Sequence, residues 1–95
     1  MTDEEMLIGS LSNDLYRVAN LVGRGSEKAA HKFWLESRRW SEELLSHDLE
    51  EYIHNIILDL ESDQSTKLSR AKAEKLLMYS VLLQNYVLHS RNSRE

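Results

Sequence analysis

The most apolar stretch of the chain, residues 76–88, has ten apolar side chains among its thirteen positions. On a helical wheel these side chains leave a polar gap of only about 80°, which contains Ser80 and Gln84. A helix with so narrow a polar face is buried by its own chain or by a partner. At 1.5 Å rise per residue the stretch is about 20 Å long, too short to span a bilayer. The pattern therefore predicts a helix that is buried by its own chain or by a partner, and no membrane span.

Apolar residues recur at helical spacing in four segments, and no proline interrupts them. We predict four helices, over residues 3–22, 27–45, 49–61 and 66–89. The predicted fold class is all-α, an antiparallel four-helix bundle-like domain over residues 1–90 with a frayed tail at 91–95.

Capping signals set the expected helix ends. Thr2 and Glu5 have the spacing of a capping box, and Gly23 stands where a left-handed residue would end the first helix. The N-caps expected for the next two helices are Ser26 and then Ser46 or Asp48. The boundary between the second and third helices stays open, because one continuous bent helix would show a similar pattern.

Charge is unevenly distributed along the chain. Residues 40–66 contain eight acids and no Lys or Arg, whereas residues 67–75 contain four basic residues and one acid. A hairpin of the third and fourth helices would place Asp59, Glu61 and Asp63 alongside Lys67, Arg70 and Lys72. Exposed pairs stabilise little, so their expected role is to set the register of the hairpin. The net charge of −4 argues against binding to nucleic acid.

The fourth predicted helix is longer than the third, about 36 Å against about 20 Å, so its apolar residues 79–89 should extend beyond the hairpin. If about five of these side chains stayed in water, at about 2 kcal/mol each, the loss would approach the whole stability of a small domain. We therefore predict a homodimer that completes the bundle. Its predicted interface is centred on Tyr79, Leu82, Leu83 and Tyr86. The alternative is a monomer with the fourth helix at its centre.

Small residues on the apolar face of the second helix lie between aromatic ones, which predicts a groove with aromatic walls. This aromatic groove consists of Phe33, Trp34, Ser37, Trp40 and Ser41. One interpretation is close helix packing, with a neighbouring helix filling the groove. The functional interpretation is a site for an apolar ligand or a partner's helix, oriented by the serine hydroxyls.

The segment Leu45-Ser46-His47-Asp48-Leu49 is similar to the start of the phosphoacceptor box of sensor histidine kinases, which reads Ser-His-Asp/Glu-Leu and continues with Arg and Pro. The resemblance implies a dimeric helical bundle in which His47 accepts a phosphoryl group. In this chain the segment continues as Glu50-Glu51-Tyr52 instead.

Other candidate chemistry is sparse. Glu51 and His54 form one Glu-x-x-His pair, of which di-iron bundles use two, and His31 follows Glu27 by four positions. The chain has no cysteine and no strained nucleophile turn. The glycine-containing segment 23–26 is expected to be an interhelical turn. We therefore expect no metal and no other cofactor.

These patterns favour a small acidic helical-bundle protein that is non-enzymatic and acts as a protein–protein interaction or adaptor module. The alternatives are a phosphotransfer bundle that uses His47 and a ligand-binding regulator that uses the aromatic groove. A cytoplasmic location is expected, because the first residues are acidic rather than signal-like and cysteine is absent.

Overall fold

The computed structural model describes residues 2–63 and 65–92, with side chains through Ser90. These residues form four helices: α1 (Asp3–Gly23), α2 (Glu27–Leu44), α3 (Glu51–Ser62) and α4 (Arg70–Asn92). No strand occurs in this part of the chain, so the all-α prediction is confirmed. None of the described helices has the length and apolar character needed to cross a membrane.

The start of α1 agrees with its predicted capping box. Thr2 Oγ1 accepts a hydrogen bond from the Glu5 amide at 3.2 Å and donates one to Glu5 Oε1 at 3.0 Å. The prediction for Gly23 is wrong, because α1 continues through this residue and the positive φ of 78° belongs to Gly25. Ser26 stands at the N-cap position of α2 but makes no side-chain capping bond.

Helices α2 and α3 are separate, which answers the question that the sequence left open. Residues 45–50 connect them, and α3 begins at Glu51, two residues later than predicted. The Ser46 hydroxyl donates to the Glu43 carbonyl at 2.9 Å. It therefore closes the end of α2 instead of capping α3, and Asp48 also lies outside the N-cap position.

Helix α4 begins at Arg70, four residues later than predicted. The Lys72 amide donates to Ser69 Oγ at 3.1 Å, so Ser69 is the N-cap. The linker before it is held by local turns, in which the Asp63 carboxylate accepts the Ser65 amide at 3.0 Å. Gln64, which lies between the predicted third and fourth helices, is outside the described residues.

The C-terminal end of α4 extends beyond the predicted helix. Residues 91 and 92 of the predicted frayed tail belong to α4. Residues 93–95 of that tail lie outside the described residues.

The helices pack as a bundle in which successive helices run antiparallel. Side-chain contacts join each neighbouring pair: Asp14 with Trp40, Ser41 with Glu61, Asp59 with Tyr79, and Ser12 with the Ser80 carbonyl. Helix α1 packs along its length against both α2 and α4. The shorter α3 occupies the position diagonal to α1. The core is formed by apolar side chains from all four helices, the largest being Ile8, Leu11, Leu15, Leu44, Ile53, Ile57, Leu76 and Leu83.

Opposite charges face each other between α3 and α4, but in a different register from the predicted one. Lys72 Nζ lies 2.9 Å from the Asp63 carboxylate, and Lys75 Nζ lies 3.1 Å from that of Asp59. Arg70 instead contacts Glu74, on its own helix, at 3.9 Å. The long linker lets α4 begin well beyond the end of α3, so α3 lies beside the middle and C-terminal parts of α4.

This register changes the prediction that residues 79–89 extend past the hairpin. The Tyr52 ring packs edge-on against Tyr86, with centroids 6.2 Å apart, so α3 accompanies α4 almost to its end. What α4 leaves uncovered is therefore one side along its length and not its C-terminal end.

Candidate interaction surface

The aromatic groove predicted on α2 is filled by the protein itself. Trp34 is only 2% exposed, and Ser37 and Ser41 are buried. Ser37 Oγ donates to the Trp34 carbonyl at 2.6 Å, and Ser41 Oγ donates to a Glu61 carboxylate oxygen at 3.1 Å. Both serine hydroxyls therefore have hydrogen-bond partners within the bundle and do not line an open site.

Two cations cover the outer side of the Trp34 ring. Lys72 Nζ lies 4.2 Å from the ring centroid, and the Arg38 guanidinium lies 5.8 Å from it. Asp63 holds both cations, since its carboxylate contacts Lys72 and its carbonyl accepts from Arg38 at 2.7 Å. Cation–π contacts of this kind favour packing of α2 against α4 and the linker.

The other aromatic walls of the groove also contact α1. Trp40 Nε1 donates to the Asp14 carboxylate at 2.9 Å, and the Arg17 guanidinium lies 5.2 Å from the centroid of the half-buried Phe33 ring. The five residues of the aromatic groove thus lie together on α2, and their contacts are those of helix packing.

Asp14 is a buried carboxyl that the sequence interpretation missed. Only 3% of the residue is exposed, and this burial raises its pKa to about 6. The hydrogen bond from Trp40 lowers the pKa, whereas the nearby Glu36 carboxyl raises it. Its position in the sequence could have indicated this burial. Asp14 comes one residue before Leu15 and four before Val18, which places it at the edge of the apolar face of α1.

Three of the four residues predicted for a dimer interface are engaged within the chain. Leu83 is completely buried, and the Tyr79 hydroxyl donates to Asp59 at 2.5 Å. Burial, together with this carboxylate, raises the pKa of Tyr79 to about 12. Tyr86 packs against Tyr52, which leaves Leu82, 39% exposed, as the most accessible of the four predicted interface residues.

The outward side of α4 carries a group of large apolar side chains, with Glu74, Gln84 and Asn85 exposed among them, although the opposite side of the same helix is part of the core. Five large apolar side chains on it are 39–53% exposed. We call this surface the outer face of α4; it consists of Leu77, Met78, Val81, Leu82 and Leu88. Because an isolated exposed apolar residue is ordinary, the informative feature is their grouping on one helix.

A shallow groove between α1 and α4 runs beside this outer face. Asn20 and Ala19 line it next to Leu77. Further along, Tyr16 and Asn13 lie opposite Val81 and Gln84, and Met6 lies near Gln84 and Val87. Met6 and Tyr16 are themselves exposed apolar side chains, so they widen the apolar surface toward α1.

The other candidate sites are His47 for phosphotransfer, a metal site and the turn 23–26, and their geometry does not favour these roles. His47 Nδ1 lies 3.9 Å from Glu4 Oε1, so a phosphoryl group approaching it would meet a carboxylate. No group of three or more His, Cys, Asp or Glu side chains suited to a metal occurs among the described residues. In the turn 23–26 the amides of Arg24, Gly25 and Ser26 all donate to carbonyls of α1 and are not directed at an anion.

The comparisons with known proteins leave the geometry as the basis for a functional interpretation. No protein-family model, curated protein or solved structure matches this chain.

Proposed function

We propose that this protein is a non-enzymatic, cytoplasmic interaction module that works as a homodimer, joined through the outer face of α4 and the groove beside it. The observation that supports this proposal is the grouping of five half-exposed apolar side chains on a helix whose other side is core. Monomeric proteins rarely expose large contiguous apolar patches, and those that exist are often interaction sites.

The energetics are consistent with self-association of moderate strength. Burying the remaining exposed area of these side chains is worth about 1 kcal/mol each, or about 10 kcal/mol for the ten side chains of two copies. Association itself costs an amount of the same order. Met6 and Tyr16 add to the buried apolar area, so we expect a weak, reversible dimer.

A second copy fits this surface better than a small molecule does. Small-molecule sites are concave and have a few convergent polar groups, whereas this surface is the outer side of a helix with a shallow groove beside it. In a twofold dimer the same patch meets itself, so one apolar surface is sufficient.

Substitution of Val81 tests the proposal. Val81 is 51% exposed at the middle of the outer face, and Val81→Glu would bury a carboxylate at the dimer contact. In sedimentation equilibrium we expect the natural chain to dimerise at tens of micromolar and the variant to remain monomeric at ten times the natural dissociation constant.

Leu58→Glu is the matched control. Leu58 on α3 is 45% exposed but lies outside the outer face of α4. This variant should dimerise like the natural chain, and circular dichroism should show both variants folded. A natural chain that stays monomeric at 200 µM, about ten times the expected range, would contradict the proposal.

A further inference from the structure

One end of the bundle is acidic. The N-terminus of α1 meets the α2–α3 connection there, since Glu4 lies 3.9 Å from His47. The C-terminal part of α4 lies beside the start of α3, since the Tyr86 ring packs on Tyr52. Segments 2–5 and 45–51 have no Lys or Arg. Their six acids are Asp3, Glu4, Glu5, Asp48, Glu50 and Glu51.

The opposite end is basic. The α1–α2 turn and the start of α4 meet there, since Gly23 and Arg70 line the same groove. Segments 24–32 and 65–72 contain one acid, Glu27, and six basic residues. These six are Arg24, Lys28, Lys32, Lys67, Arg70 and Lys72. Lys72 is paired with Asp63, and the 94% exposed side chain of Arg70 contacts Glu74 at 3.9 Å, so these two pairs offset part of the positive charge.

The two charged ends are separated by the length of α4, about 34 Å at 1.5 Å per residue, which is several Debye lengths at physiological salt. Within one copy they therefore interact little. In a dimer joined along α4, the charged segments beside α4 lie nearest to the partner, namely the start of α1 at the acidic end and residues 65–72 at the basic end. The orientation of the dimer therefore decides whether these charges attract or repel.

We propose that the two α4 helices of the dimer run antiparallel, with the acidic end of each copy beside the basic end of the other. This inference rests on the proposed homodimer. A parallel dimer would bring acidic ends together and basic ends together, and like charges placed in this way oppose association. The antiparallel dimer replaces both repulsions with attractions.

The same arrangement specifies a register. Val81 is the midpoint of α4 (Arg70–Asn92) and lies within its outer face. With the twofold axis at Val81, the two copies of this residue lie next to each other. Position 74 of one copy then lies opposite position 88 of the other, and position 77 lies opposite position 85.

Engineered cysteines measure the orientation directly, because the natural chain has no cysteine to interfere. Val81→Cys should form a disulfide between two copies under mild oxidation. Leu88→Cys should not, since in the antiparallel dimer its two copies are about 20 Å apart along the axis, far beyond disulfide reach. Glu74→Cys mixed with Leu88→Cys should form the mixed disulfide, which mass spectrometry identifies when one chain carries an isotope label.

Each outcome of the cysteine experiment bears on one proposal. A Leu88→Cys homodisulfide without the mixed product would overturn the antiparallel orientation and leave the homodimer intact. A dimer in sedimentation that forms neither the Val81→Cys product nor the mixed product would overturn the register, and with it this inference. A chain that sediments as a monomer would contradict the homodimer itself.

The dependence of the dissociation constant on salt is an independent measurement, because the constant changes in opposite directions for the two orientations. Raising NaCl from 0.05 to 0.3 M screens attraction in the antiparallel dimer, so its dissociation constant should rise about 3- to 10-fold. In a parallel dimer the same change screens repulsion, and the constant should fall. A constant that stays level or falls would contradict the inference.

Discussion

Asp14 is the buried residue with the clearest electrostatic consequence. Its carboxyl is held between α1 and α2 by the Trp40 indole, and burial raises its pKa from the usual 3.8 to about 6. Between about pH 4 and pH 6 the folded state therefore keeps a proton that the unfolded chain has released. The contribution of Asp14 to the free energy of unfolding thus falls as the pH rises through this window and is constant above it.

Asp14→Asn should remove this pH dependence, because the amide oxygen can still accept from Trp40 and the side chain stays neutral. We expect the variant to be more stable than the natural chain by about 1–3 kcal/mol at pH 7.5 and nearly equal to it at pH 4. Urea unfolding at the two pH values measures the difference. A variant that is less stable at pH 7.5 would show that ionised Asp14 stabilises the fold.

Asp59→Asn is the control of opposite sign. The Tyr79 hydroxyl and Lys75 lower the pKa of Asp59, so its stabilisation is present above its unfolded pKa of 3.8 and is lost as the pH falls below that value. This variant should be less stable than the natural chain at pH 7.5.

At the scale of single elements, local signals predicted the helices well where a cap depends only on neighbours in sequence. Thr2 and Glu5 form the predicted capping box because both partners belong to the first turn of α1. The start of α4 was misplaced because the linker before it contains several residues suited to capping. The residue that becomes the cap is Ser69, whose hydroxyl oxygen accepts the Lys72 amide.

Ser69→Ala tests the contribution of this cap. The variant loses the bond from the Lys72 amide, and we expect it to be less stable by about 1 kcal/mol, as for other N-caps. Ser26→Ala is the matched control, because Ser26 occupies the N-cap of α2 without a side-chain capping bond and its loss should change stability by a few tenths of a kcal/mol at most. Equal losses in the two variants would argue against a special role for Ser69.

At the scale of the whole molecule, a homodimer links stability to protein concentration. If association stabilises the folded chain, the melting temperature should rise with concentration by mass action. We expect an increase of several degrees between 2 and 200 µM for the natural chain and none for Val81→Glu, measured by circular dichroism. A melting temperature that is independent of concentration in the natural chain would contradict the homodimer.

The sequence by itself determined the number of helices, their approximate positions and their buried faces, because helical periodicity and capping act over a few neighbouring residues. The buried stripe of α3, with Ile53, Ile56, Ile57 and Leu60, follows from spacing alone. The two charge blocks were also visible in the sequence, and two of their predicted members, Asp63 and Lys72, form an ion pair, whereas Asp59 pairs with Lys75 and Arg70 with Glu74.

Only the tertiary structure decided which side chains of the apolar run 76–88 stay outside. Leu83 and Leu82 are adjacent in sequence and chemically identical, yet Leu83 is in the core and Leu82 is open to solvent. The difference depends on where α1 and α3 lie around α4. That placement follows from the packing of the whole bundle, including the position along α4 that α3 reaches through the linker. For the same reason the aromatic groove of α2 could be recognised in the sequence, whereas its filling by contacts from α1 and α4 could not.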